Sequence, residues 1–469
     1  MSTRRPPAVS TLPKVTSAPE ISRAQRVKSL GVRAVERWER FLPVAVRFAF
    51  TRRGLITGFA VVHLLYFVGL LHVIVVGGTE GDLPLYRLWA EQALHGHWPV
   101  IDMAWVYPAG ALVPIMAAIA FGPWTYQLVW LLLMVAANWL AIAALTGNLR
   151  RRKGYVAAWY WLAVQLLLAP VSMLRLEGFA APLAIAALVW LVRRPALAGA
   201  LIAAATWIKV WPAALAAAAV AISSLRMRII AGGLAVSAAI AGIVIAFGGG
   251  DNLFSFATIQ GDRSLQLEAP IATPWVWATV LGMPGAEIRQ NYVLATREVA
   301  GPGAQAAGVL VTWLMPIAFA VILVLLWRAR RRALTEGTLT PLAEQRLILR
   351  GAFALTAALI VFNKVGSPQY MLWLAPIVAV GLVIDRHAWS RVAEWMAMVC
   401  FLTTLVFPVL YLPLIDAHPL AAAVLLARNV LVVGLFGWSI VALWRPETSL
   451  VALRERLALT GSIPVVARG

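Results

Sequence analysis

The chain has 469 residues, 61% of them hydrophobic and 13% charged, about half the roughly 25% charged content of a globular protein. That balance excludes a water-soluble globular enzyme, and the continuous Leu/Ala/Val-rich blocks, which do not alternate, exclude a β-barrel. The net charge of +20 comes from Arg clusters at the ends of apolar runs, so it points to cytoplasmic loops and anionic lipid headgroups, with no nucleic acid partner.

Residues 1–54 read as a basic cytoplasmic N-terminal arm. Its start, through Pro19, is rich in Ser, Thr and Pro, and Arg23 to Arg53 mixes Arg with apolar residues as an interfacial helix does. Leu55 to Val76 is the first expected span, and it carries the chain outward. An outer loop, 77–107, follows with Glu80, Asp82, Arg87, Glu91, His95 and His97 among Leu and Trp. Pro108–Phe121 is short, and the Arg150–Lys153 cluster is expected on the cytoplasmic side, so this segment is expected to be re-entrant or partial.

Tyr126–Leu145, Tyr155–Pro170 and Pro182–Val192 continue the zigzag, with Arg175 and Glu177 at an outer turn. Ala196–Trp207 and Ala213–Ile222 are too short to span at 1.5 Å per residue, and Trp211-Pro212 separates them; broken helices are tolerated in a bilayer only where they line a protein cavity. Ile229–Phe247 leads to a second outer loop, 248–308. Val309–Trp327, Ala352–Phe362, Met371–Ile384, Trp395–Leu412 and Leu420–Leu443 complete residues 55–444, and 445–469 form a basic cytoplasmic tail. The expected fold is an all-α polytopic membrane protein of about twelve transmembrane helices, including short and re-entrant ones, with an active-site cavity on the outer face. Cys400 is the single cysteine, so no internal disulfide forms.

Charges at membrane depth are costly and are usually paired or functional. The outward ends of the spans carry Glu80, Asp82, Arg175, Glu177, Lys209, Asp262, Arg263, Gln266, Glu268, Lys364, Gln369 and Tyr370. Each has a plainer reading. Asp82 followed by Pro84 also marks a helix start, where the carboxylate would serve as a cap. Arg175 and Glu177 could pair with each other. On a helix, Trp207 and Trp211 share a face and Lys209 points away, to snorkel or to meet a phosphate. Arg263, Gln266 and Glu268 sit in a loop where charge is ordinary, and Lys364, Gln369 and Tyr370 in a turn. Glu80 with Asp82, or His95 with His97, makes only two ligands, so no metal is expected. No phosphate-binding glycine loop, HExxH or G-x-S-x-G occurs, and no cofactor is expected.

Glu80-Gly81-Asp82 after the first span, Tyr107-Pro108, Trp207–Pro212, Arg263–Glu268 and Ser367–Tyr370 occur in this order along most of the chain after residue 54. In these motifs the chain resembles the polyprenol-phosphate-mannose-dependent mannosyltransferases of actinobacteria, within the glycosyltransferase-C superfamily. It departs from them at Tyr107-Pro108-Ala109-Gly110, which lacks a second Pro.

The resemblance implies a GT-C bundle, a polyprenyl-phosphate sugar donor and a glycolipid or glycan acceptor at the outer face of the cytoplasmic membrane. Asp82 would be the catalytic base. Lys209, Arg263, Arg175 and Lys364 would hold the donor phosphate or sugar. Glu80, Glu177, Gln266, Glu268, Gln369 and Tyr370 would contact sugar or acceptor. The chemistry asks for the same parts: one carboxylate takes the proton of the attacking hydroxyl, inversion follows from a single displacement, and the leaving phosphate needs cations. An arabinofuranosyltransferase using decaprenyl-phosphate arabinose, a transporter or flippase of envelope precursors, and a non-catalytic scaffold are the alternatives.

Overall fold

The computed structural model describes residues 44–259, 263–292 and 296–444. The chain divides into two units, Met1–Gly54 and Leu55–Gly469. In the first, Val44–Ala49 forms a short exposed helix, α1. Most of the expected interfacial helix, all of the C-terminal tail and Asp262 lie outside the described residues.

The structure is 74% helical. Arg52–Gly69 (α2) and Leu71–Val75 (α3) replace the expected single first span, with a break at Leu70. Leu83–Leu94 (α4) begins directly after Asp82. The next apolar stretch yields a single turn, Ala109–Ala111, and Leu112–Ala118 (α5). These ten residues rise about 15 Å, half of a bilayer's hydrocarbon thickness. Tyr126–Thr146 (α6), Tyr155–Leu167 (α7), Glu177–Trp190 (α8), Pro195–Ile208 (α9), Ala213–Ile222 (α10) and Arg226–Ala246 (α11) follow.

The loop from Gly248 holds Ser255–Ile259 (α12), Thr273–Val280 (α13) and a hairpin of strands Glu287–Asn291 (β1) and Thr296–Ala300 (β2). That hairpin amends the all-α expectation. Ala304–Thr335 (α14), Pro341–Val361 (α15), Met371–Ile384 (α16), Arg386–Thr404 (α17), Tyr411–Ile415 (α18) and Pro419–Trp444 (α19) complete the described chain. The expected span Trp395–Leu412 is interrupted where Phe407 turns extended (φ −138°, ψ 121°) ahead of Pro408.

Among the described residues, five helical stretches are long and apolar enough to cross a membrane: Pro123–Thr146, Arg226–Ala246, Ala304–Thr335, Arg386–Val409 and Pro419–Trp444. The short helices survive among them because protein surrounds them. In α8 and α16, 14 residues each, ten and twelve residues are buried, so protein surrounds most of their length. α11, by contrast, turns Leu234, Ile243 and Ile245 outward. It lies close to α9 because Gly199 and Gly232 each face a carbonyl of the other helix (Ile229 and Ala196) where a Cβ would collide.

Basic residues collect at one end of the helices. There Arg346 Nε meets Asp385 Oδ2 at 3.2 Å, Arg330 Nε donates to the Ile222 carbonyl at 2.8 Å, and Ser224 Oγ donates to Glu344 Oε1 at 2.5 Å. At the other end, Leu265–Leu267 runs beside β2. Leu267 N donates to Arg297 O (3.0 Å) and Val299 N to Leu265 O (2.9 Å), while Gln266 N donates to Lys364 O at 2.9 Å on the opposite side. Gly366 lets the turn before α16 approach this strand, since any Cβ there would strike the backbone of Glu268 and Ala269.

Candidate active site

α3 ends at Val75, and glycines with positive φ at 77 (65°) and 81 (70°) turn the chain into α4. Asp82 occupies the N-cap position, yet its carboxylate makes no capping hydrogen bond. The cap reading therefore fails. Instead Oδ2 forms an ion pair with Arg175 Nη1 and accepts from the Tyr86 hydroxyl at a long 3.3 Å. Among the described residues the other oxygen, Oδ1, has no hydrogen-bond partner.

Arg175 and Glu177 do not pair with each other. Arg175 belongs to the turn before α8 and Glu177 opens that helix, so their side chains diverge. Glu177 is completely buried and its Oε1 lies 3.1 Å from Lys209 Nζ. Lys209 reaches it because α9 stops at Ile208: Lys209 is extended (φ −149°, ψ 137°), and Pro212 follows. The helical reading of Trp207–Trp211 is thereby corrected. The two indoles part company, Trp207 donating to Ser237 Oγ at 3.0 Å and Trp211 stacking on Trp373. The Lys209 ammonium also sits over the Tyr107 ring, 4.3 Å from its centre.

Burial opposes charge on both cations, but carboxylates and phenols outweigh it. Asp82, Tyr86 and Glu177 raise the Arg175 pKa, and Glu177, Tyr107 and Tyr370 raise that of Lys209.

An aromatic floor lies beneath these pairs. Tyr86, Trp89, Trp105 and Tyr107 meet mostly edge to face at centre separations of 5.3–6.1 Å. Beside it is a cavity of about 440 Å³ lined by Tyr107, Lys209, Trp211, Lys364, Tyr370 and Trp373. The indole N–H groups of Trp211 and Trp373 are buried without a partner among the described residues. A second cavity, about 690 Å³, shares Lys364 and Thr312 with the first and adds Arg263, Ser264, Arg289 and Gln305.

The other candidates fall into three groups. Gln266 and Glu268 are buried; Arg428 Nη2 donates to the Glu268 carbonyl at 2.9 Å and lies 3.6 Å from its Oε2. Burial pushes the Glu268 carboxyl up to about 6, against the pull of Arg428 and Arg175. Gln369 is buried and accepts from Ser367 Oγ at 2.5 Å, while Tyr370 packs on Trp373. Glu80 stands apart: its side chain is exposed, while its backbone N–H donates to Gln127 Oε1 at 3.1 Å and its carbonyl accepts from Leu83 N at 3.3 Å. His95 and His97 are exposed too, and no group of three metal-ligating side chains occurs among the described residues.

Arg428 is the functional candidate that the sequence reading passed over. It stands inside the apolar run Leu420–Leu443, 2% exposed, where a lone charge is itself the signal. Tyr86 and Arg289 had no such mark. No family model matches this chain, no curated protein matches it, and no solved structure matches it.

Proposed function

We propose that the chain is an inverting glycosyltransferase, spanning the membrane about twelve times, that moves a sugar from a polyprenyl-phosphate donor to a glycolipid or glycan hydroxyl at the outer face. One observation carries this reading. Arg175 and Tyr86 hold one oxygen of Asp82 and leave the other without a hydrogen-bond partner among the described residues, which suits a base; Asp82 lines neither of the two cavities, whose cations are Lys209 with Lys364 and Arg263 with Lys364.

In the step itself, the acceptor oxygen forms the bond to the anomeric carbon while the bond from that carbon to the phosphate oxygen breaks. The hydroxyl proton passes to Asp82, and the electron pair leaves with the polyprenyl phosphate, whose added charge the cations offset. Arg175 holds the base in place, and Trp211, Tyr370 and Trp373 give the cavity beside Lys209 an aromatic wall for a sugar. Mannose follows from the motif resemblance alone, and arabinofuranose is the variant to test beside it.

The test is sugar transfer by the purified protein in lipid nanodiscs, supplied with labelled polyprenyl-phosphate mannose or arabinose and a panel of glycolipid acceptors. Transfer by the wild type and none by Asp82→Asn is the expected result. Equal turnover by the two proteins would remove Asp82 as the base, and no transfer from any donor would remove the reaction.

A further inference from the structure

Glu268 lines neither of the two large cavities, and the sugar contact expected of it has no pocket to occur in. It is 5% exposed and faces Arg428, which α19 carries nine residues after its start. A buried cation is costly unless both its charge and its donors are met. Arg428 Nη2 donates to the Glu268 carbonyl at 2.9 Å and lies 3.6 Å from Oε2 of the same residue, beyond hydrogen-bond range. That Oε2 and Arg428 Nε are buried without a hydrogen-bond partner among the described residues. The pocket against the pair, which Gly366, Ser367, Tyr370 and Asn429 help to line, has no room for a water molecule. One guanidinium nitrogen thus stands before two oxygens of a single residue and bonds one of them.

The carbonyl bond holds more than Glu268. Asn429, the next residue of α19, donates from Nδ2 to Thr273 Oγ1 at 2.8 Å, so α19 grips the outer loop at two points. Just before the first grip, Gln266 N donates to Lys364 O at 2.9 Å and Leu267 N to Arg297 O at 3.0 Å; just after it, Ala269 N donates to Gln266 O at 3.1 Å. Lys364 lines both cavities. The bond from Arg428 therefore ties a membrane-spanning helix to the segment that seats a residue common to both chambers.

The charge on Glu268 decides how that nitrogen is shared. With a proton on the carboxyl, Oε2 attracts little and the carbonyl keeps its donor. Without the proton, the carboxylate competes for Arg428 Nη2, and an ionised acceptor makes the stronger bond. The groups that face Glu268 are Arg428 from α19, Arg175 from the turn before α8, Tyr411 from α18 and Tyr370 from the turn before α16. Burial opposes the anion more strongly than the two cations favour it, so the proton leaves at about pH 6.

We infer that Arg428 and Glu268 form a proton-controlled clamp on the outer loop. The neutral acid leaves Arg428 on the carbonyl and the loop seated on α19; the anion draws Arg428 to the carboxylate and loosens Leu265–Ala269 around Lys364. Both are positioning residues. The clamp goes beyond the proposed reaction and does not depend on it.

Hydrogen exchange of the full chain in lipid nanodiscs tests it, read over peptides covering residues 264–272 and corrected for the intrinsic effect of pH, with α8 as internal reference. Wild-type protection of this segment should fall about tenfold between about pH 5 and about pH 8 while α8 keeps its own, as loss of one hydrogen bond to a charged group allows. Glu268→Gln keeps the shape and removes the titration, so its protection should stay at the wild-type acid level at both pH values. Equal wild-type protection at the two pH values would overturn the clamp without any variant. A fall that persists in folded Glu268→Gln protein would overturn the choice of Glu268, and a fall shared equally by α8 would show general loosening in place of a clamp.

Discussion

Two regions far apart in sequence handle positive charge in opposite ways. Around α8, Arg175 and Lys209 each meet a carboxylate, one of them wholly buried. Around the start of α14, Arg263 and Arg289 surround open space. The first arrangement stores its electrostatic energy in fixed internal pairs, so removing one partner strands the other in a poor solvent. The second pairs Arg289 only loosely, with Glu298 at 3.8 Å, and leaves Arg263 Nε without a partner among the described residues. A cation inside an apolar protein therefore reveals its task through what sits opposite it.

Substitutions that separate the two regions make the contrast measurable. The largest effect should come from Asp82→Asn, with sugar transfer down about 10³-fold or more and the melting temperature little changed, as expected for loss of a general base. Next is Glu177→Gln, which leaves Lys209 buried beside a neutral amide. Breaking such a pair costs about 3–5 kcal/mol, seen as a lower melting temperature in detergent. The double change Glu177→Gln with Lys209→Met should recover most of it; no recovery would mean that Glu177 works through something other than Lys209.

Glu268 comes third. Its carboxyl titrates near 6 in the folded protein against an ordinary 4.5, so the folded state holds the proton more tightly. Its contribution to stability is complete below pH 4.5 and is lost as the pH rises through 6, about 2 kcal/mol in all. Melting of the wild type should fall across that window, and Glu268→Gln should flatten the profile. The smallest effect on stability belongs to Arg289→Gln, within about 1 kcal/mol, because Arg289 is half exposed and the buried Glu298 still accepts from Asn291 Nδ2 at 2.9 Å and Thr296 Oγ1 at 3.3 Å.

The sequence marked many of these positions but few of their partners. Asp82, Glu177 and Lys209 stood out as charges at the ends of apolar runs, and Pro212 announced the break between α9 and α10. That Arg175 would reach back 93 residues to Asp82, while its near neighbour Glu177 turned to Lys209, depends on how helices pack, which periodicity does not encode. Arg428 was hidden by the apolar run around it. The hairpin escaped because Glu-Ile-Arg-Gln-Asn has few strand formers and no Asn-Gly or Asp-Gly marks a turn after it. The first span read as one helix because hydropathy does not register the break at Leu70.

The segment Leu265–Leu267 is bonded on one edge to β2 and on the other to the carbonyl of Lys364. It is thus a party wall: the turn it grips leads to Tyr370 and Trp373 on one side, and the hairpin it grips presents Arg289 on the other. Three residues of backbone thus tie the turn before α16 to the hairpin, so a shift in either is felt by the hydrogen bonds of the other.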